Sequence, residues 1–148
     1  MSKIIRVSKD LDITVHDFPE GSLSEKSQKL KKLISEDCEM YESVMPKRLY
    51  SELGHSNKAE NKNSKCVSML VDDNYLQNTS PDKVCPNLVG SLLYESDKNG
   101  WMIYGNILFV GLKNSTNGLE FTGIEPETFE KLYEQLIIIA RELHSSND

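Results

Sequence analysis

The run Met102-Ile103-Tyr104-Gly105-Asn106-Ile107-Leu108-Phe109-Val110-Gly111 constrains this chain more than any other stretch. It is apolar at both odd and even positions, and a strand buried on both faces reads as such a nearly continuous run. Gly105 and Asn106 interrupt it near the middle. An interior glycine in a strand marks a bulge or a close backbone approach, and a buried asparagine must find hydrogen-bond partners. The centre of the core is therefore expected to hold one polar device.

The flanking segments supply an α+β pattern. Residues 3–7 and 11–18 each read as a strand, with Leu11, Ile13 and Val15 on one face of the second and Asp12, Thr14 and His16 on the other. Ser8-Lys9-Asp10 between them is short enough for a hairpin turn. After Pro19-Glu20-Gly21, Ser22 and Glu25 form a capping box that opens a helix over 23–35, with Leu23, Leu30, Leu33 and Ile34 as its buried stripe. Cys38 to Val44 and Lys65 to Val71 read as strands, and Lys47 to Leu53 as either a helical turn or a short strand. Residues 74–87 are irregular around Pro81 and Pro86, Leu88 to Tyr94 is apolar, and Asp97-Lys98-Asn99-Gly100 is a turn before the central strand. Leu119 to Thr122 fits a short strand.

The last element is a helix from Glu125 or Pro126 to His144. Pro126 suits its first turn, and Phe129, Leu132, Tyr133, Leu136, Ala140 and Leu143 recur at helical spacing. The expected fold is a single α+β domain over residues 1–148. Its mixed, mainly antiparallel sheet of about five to seven strands starts with an N-terminal β-hairpin, one helix follows, and a long C-terminal helix packs on the sheet. Residues 54–64, polar and rich in Asn and Lys, are expected to form a flexible surface loop.

Composition narrows the function classes. The chain has 148 residues, near the common size of one domain. Three cysteines at wide spacing argue for reduced thiols rather than a disulfide framework. No stretch approaches the roughly 20 apolar residues of a membrane span, and the opening residues lack the apolar segment of a signal peptide, so a cytoplasmic location is expected. Residues 1–64 hold 11 basic and 11 acidic side chains and residues 65–148 hold 6 and 12, so the whole excess of −6 lies in the second part. This disfavours non-specific nucleic-acid binding there and favours solubility or a basic partner surface.

Chemistry-bearing patterns are sparse. His16, His55 and His144 lie in a strand, a polar loop and a helix tail, with no Cys-x-x-Cys or His-x-x-x-His, so no metal and no cofactor is expected. Asp72-Asp73-Asn74 lacks the remaining ligands of a calcium loop. There is no Gly-x-Ser-x-Gly elbow, P-loop or Gly-x-Gly-x-x-Gly. The best acid–base set is His16 with Asp12 or Glu20, and solvated strand residues explain it equally well. No catalytic residue is assigned, and the chain reads as non-enzymatic.

Three candidate surfaces remain. Lys26, Lys29 and Lys32 on the first helix form a basic patch that either meets a phosphate backbone or simply solvates the helix. Asn87, Tyr94 and Asn106 either line a pocket for a nucleotide signal or serve turns and packing. Ile138 and Ile139 exceed the main stripe of the last helix, which is either sandwiched within the domain or offers a strip to a second copy.

The stretch from Asn87 through Gly100 (Asn-Leu-Val-Gly-Ser-Leu-Leu-Tyr-Glu-Ser-Asp-Lys-Asn-Gly), then Gly105-Asn106-Ile107-Leu108-Phe109-Val110-Gly111, resembles the family of small proteins grouped as domain of unknown function 3846. Met45-Pro46-Lys47-Arg48-Leu49-Tyr50, Met69-Leu70-Val71-Asp72-Asp73, Phe121-Thr122-Gly123-Ile124 and Phe129 through Leu136 fit it too. This chain has Asn87-Leu88 where the family often has Asn-Pro, and Lys98-Asn99-Gly100 where it often has Lys-His-Gly. The resemblance implies an accessory protein of phages, plasmids or conjugative elements of Gram-positive bacteria, and it carries over no catalytic residues. The expected function is then a non-catalytic inhibitor of a bacterial defence system, of anti-CRISPR or anti-restriction type. Its expected partner is a host defence protein or its guide RNA complex. Glu120, Glu125, Glu127, Glu130 and Glu134 would compete with nucleic acid for a basic channel. The alternatives are sequestration of a nucleotide signal, or RNA binding or processing through the N-terminal hairpin and the lysine helix.

Overall fold

The computed structural model describes residues 2–58, 65–116 and 118–147. Strands β1 (Lys3–Val7) and β2 (Ile13–Asp17) form the hairpin, and α1 (Leu23–Ile34) follows, opened by the Ser22–Glu25 capping box. Strand β3 (Tyr41–Val44) and helix α2 (Lys47–Ser51) precede β4 (Cys66–Asp72). Three short helices follow: α3 (Tyr75–Asn78), α4 (Leu88–Leu93) and α5 (Ser96–Asn99), with a single 3₁₀ turn at Pro81–Lys83. Strands β5 (Ile107–Ser115) and β6 (Gly118–Thr122) then lead into α6 (Pro126–Asn147). The six strands form one sheet in the order β2-β1-β5-β4-β3, with β6 beside the far half of β5, and every pairing is antiparallel.

The pleat divides the core in two. Ile5, Val7, Val67, Met69, Val71, Ile107 and Phe109 point to one face, where Leu49 of α2, Val89 and Leu93 of α4, and Leu132, Leu136 and Ala140 of α6 cover them. Ile4, Leu70, Leu108 and Val110 point to the other face, where Leu30 and Ile34 of α1 cover them. The α+β architecture, the hairpin, the capped helix and the sheet-packed C-terminal helix all match the expectation.

Three local readings need correction, and the apolar 88–94 stretch gains an assignment. The 102–111 run is not one strand: β5 begins only at Ile107. Gly105 turns the chain at φ +76°, and the preceding backbone bonds to other segments. Ile103 exchanges hydrogen bonds with the Ser91 hydroxyl and accepts one from the Asn87 amide at 2.7 Å, so its polar groups are satisfied without a neighbouring strand. Residues 88–93 form a helix, because Asn87 caps it and Val89, Gly90 and Leu93 meet the core at helical spacing. The irregular 74–87 segment contains two helical turns. The strand expected from Cys38 begins at Tyr41, since the Cys38 amide is drawn into a turn by the Ser35 carbonyl at 3.1 Å. Residues 59–64 of the expected surface loop lie outside the described residues, and 54–58 carry no regular structure.

A Cβ at Gly105 would lie 2.9 Å from the Tyr75 ring, in addition to the strain of its positive φ. Gly100 shares that sign of φ (+80°) but faces open space. Gly105→Ala is therefore expected to lower stability by about 2–4 kcal/mol and Gly100→Ala by about 1 kcal/mol, measured as urea midpoints. Equal losses would show that the Tyr75 contact carries no cost.

Candidate functional site

The two faces of the sheet are covered unequally, and the difference leaves a groove. Helix α1 covers the second face, and its apolar stripe meets the core through its second half, at Leu30, Leu33 and Ile34. Its first half, with Leu23, Lys26 and Ser27, looks across open space toward β6. The space measures about 860 Å³ and is bounded by Asp17 to Gly21 on one side and Leu119 to Thr122 on the other. Phe121 and Tyr41, from strands separated by β4 and β5, meet edge to face there with centroids 6.2 Å apart. A shallower hollow of about 420 Å³ continues along the same sheet face past Ser43, Met45, Ser68 and Leu112, with Leu119 as the ridge between the two.

Exposure marks this region. Leu23 is 75% exposed and Leu119 63%, so two large aliphatic side chains stand in water on opposite lips of one groove. Single exposed leucines are ordinary; a facing pair over an aromatic floor is the pattern of a contact surface.

The charges of the groove are mostly engaged. Asp17 pairs with Lys3, and this hydrogen bond holds its carboxyl below the usual carboxylate range. Lys113 lies 3.8 Å from Glu120. Lys29 donates to the Glu20 carbonyl at 3.3 Å. Lys26 is half-buried, and among the described residues its ammonium has no hydrogen-bond or ion-pair partner. Glu20 stands exposed on the outer rim.

The sequence candidates fall in different places. Lys26 and Lys29 line the groove, whereas Lys32 is exposed and lies outside its lining. Of the glutamates, Glu127, Glu130 and Glu134 share an exposed stripe of α6. Glu125 caps that helix, accepting from the Thr128 amide and hydroxyl and the Glu127 amide, which lowers its pKa. Glu120 lies on β6, which borders the groove. Ile139 packs into the core, and Ile138, 54% exposed, stands alone on the polar stripe.

Asn87, Tyr94 and Asn106 do not line one space. Asn87 is fully buried: its amide donates to the carbonyls of Val7 (3.1 Å) and Gly105 (2.9 Å), and its oxygen accepts from the Gly90 N–H (2.9 Å). Asn106 donates to the Ile34 carbonyl at 2.9 Å and accepts from the Lys9 N–H at 3.0 Å, tying the end of α1 to the hairpin turn. Tyr94 lies elsewhere, beneath the Lys47 ammonium at 5.3 Å.

His16, Cys38, Tyr50 and His55 are held in local contacts. His16 bonds Thr14 at 2.8 Å rather than Asp12 or Glu20, and partial burial and Arg6 lower its pKa. Burial raises the Cys38 thiol to about 11, which leaves it protonated and unreactive at neutral pH. Tyr50 donates to the Val67 carbonyl beside Cys66, and burial pushes its pKa up. His55 is buried against Gln135 at 2.6 Å, and burial lowers its pKa. No group of three His, Cys, Asp or Glu side chains among the described residues has metal-site geometry, and no helix there is long and apolar enough to cross a membrane. The groove was missed in the sequence because its walls come from four separated segments; the one available signal was Leu23, the apolar residue that begins the α1 stripe.

Comparison with family models, with curated proteins and with solved structures found no match to this chain.

Two outcomes follow from these placements. Asn87→Ala strands three buried backbone groups and is expected to cost about 3 kcal/mol or more in urea unfolding, with a small loss excluding a clasp role. The depressed pKa of His55 means that the unfolded chain takes up its proton first. Its contribution is present above about pH 6.5 and is lost as pH falls from there toward the lower folded value. Stability should therefore drop between about pH 7.5 and 5.5, and drop less in His55→Gln; identical slopes would refute the assignment.

Proposed function

We propose that this chain is a non-catalytic binding protein whose working surface is the groove between α1 and β6. The observation that carries this reading is the pair of exposed lips, Leu23 and Leu119, over the Tyr41–Phe121 floor. Burying two such side chains against a partner contributes about 1.5–3 kcal/mol each, enough to make them central to an interface. His55 and the buried thiols are engaged in packing and His16 bonds Thr14, which favours binding over acid–base or nucleophilic chemistry.

The resemblance supports a direction for that binding: an accessory protein of a mobile element that inhibits a host defence nuclease in the host cytoplasm. A second reading of the same function uses α6 instead. Glu127, Glu130 and Glu134 are exposed along one stripe of a 22-residue helix, which suits competition with nucleic acid for a basic channel.

Cleavage of target DNA by a guide-loaded Cas9-type nuclease and by restriction enzymes separates these readings. The parent protein should slow one of these reactions at near-stoichiometric amounts. Leu23→Glu/Leu119→Arg should reduce potency about a hundredfold, the loss of two buried anchors, with the circular dichroism spectrum unchanged. If charge reversal of Glu127, Glu130 and Glu134 abolishes inhibition and the groove variant does not, α6 is the working surface. If the parent protein slows none of the reactions, the anti-defence assignment is wrong.

A further inference from the structure

The groove runs beside a free sheet edge. Strand β6 pairs with β5 through Gly111–Thr122, Leu112–Phe121, Lys113–Glu120, Asn114–Leu119 and Ser115–Gly118, and with no other strand among the described residues. Ser115 and Gly118 flank a two-residue connection, so they form the first hydrogen-bonded pair of the ladder. Bonded and non-bonded pairs alternate in an antiparallel ladder, which directs Glu120 and Thr122 toward β5. The N–H and C=O groups of Leu119 and Phe121 then point outward, away from β5.

An unpaired edge is a template for another strand, and proteins guard such edges with lysine, proline, short length or cover. Strand β3 is four residues long and ends at Met45-Pro46. Strand β6 reads Gly-Leu-Glu-Phe-Thr and contains neither lysine nor proline. Leu119 and Phe121, the two residues with outward backbone groups, both line the groove.

We infer that the groove takes an extended segment of a partner polypeptide, which adds to the sheet as a strand beside β6. This rests on the groove being the binding surface. The outward groups of Leu119 and Phe121 supply the backbone hydrogen bonds, and the segment's alternating side chains enter the space between β6 and α1. One side chain class is apolar, to fill the gap between Leu23 and Leu119 above Phe121. The other is acidic, because Lys26 has no hydrogen-bond or ion-pair partner among the described residues and Lys29 bonds a neutral carbonyl, with Glu25 acting on it only through space, whereas Asp17 and Glu120 already have cationic partners. The exposed Glu20 sits at the rim, where water screens it. A strand that carries an apolar and an acidic residue two positions apart, both on the face toward α1, fits this combination; a helix leaves the β6 edge unpaired.

A display library of random twelve-residue peptides, selected on the intact protein, tests the assignment. The expected binders carry an apolar residue and an Asp or Glu two positions apart, and lose about tenfold in affinity toward Lys26→Glu. In hydrogen exchange, a bound peptide should slow the Leu119 and Phe121 amides at least about tenfold, with Glu120 and Thr122 changing less. Leu119→Pro deletes one outward N–H and leaves the β5 ladder intact, so it should weaken the peptide about tenfold or more. Lys26→Glu provides a second test if the proline variant fails to fold. Peptides that bind in the groove, sensitive to Leu23→Glu, yet leave both amides unprotected overturn strand addition and keep the groove as the binding surface. Binders indifferent to Leu23→Glu, Leu119→Arg and Lys26→Glu alike overturn both.

Discussion

The mouth of the central strand holds the constraint on which the rest of the structure depends. Val7 at the end of β1, Gly105 before β5 and Gly90 in α4 all bring buried backbone groups to one point, and the Asn87 side chain satisfies all three. A buried polar group without a partner costs about 1–3 kcal/mol, so this one amide decides whether the hairpin, the central strand and the helical layer can close on each other. Asn106, on the opposite side of the same turn, performs the matching task for α1 and the β1–β2 turn. The two helical layers are thus pinned to the sheet at the same end.

That pinning explains why one face is closed and the other half open. Helices α2, α4 and α6 together cover the first face, whereas among the described residues the second has α1 as its one helix, anchored where Asn106 holds its last turn. The other end of α1 diverges over the junction of β1 and β6. There Gly123 admits Ser2: a Cβ at Gly123 would lie 1.9 Å from the Ser2 Cβ. Two strands share one side of β5 in succession, and the groove forms beside this succession, between the edge of β6 and the free half of α1.

Much of the fold was legible in the residues because its signals are local. The Ser22–Glu25 box and Pro126 mark helix starts, and two-face burial appears as a nearly continuous apolar run over Val67 to Val71, broken only by Ser68, and an unbroken one over Ile107 to Val110. The Gly105-Asn106 pair was legible as unusual but not as a turn. An apolar run looks the same whether its backbone bonds to a strand or to a cap residue, and here Asn87 and Ser91 took the partners that a strand would have used. The same ambiguity concealed α4 within the apolar 88–94 stretch. The candidate pocket dissolved for a related reason: asparagines suited to bind a ligand are equally suited to bind buried backbone, and only geometry separates the two uses.

By itself the sequence determined the class of architecture and the layers, since hydrophobic periodicity and capping chemistry act over a few residues and report directly on which faces must be buried. Tertiary structure alone decided where those faces run out of cover. Leu23 belongs to the apolar stripe of α1, and Leu119 is an ordinary strand residue; each is unremarkable in its own segment. They become the lips of one groove only because α1 is pinned at its far end and β6, among the described residues, pairs with β5 alone. Such a site is set by relations between residues nearly a hundred positions apart, which no local pattern encodes.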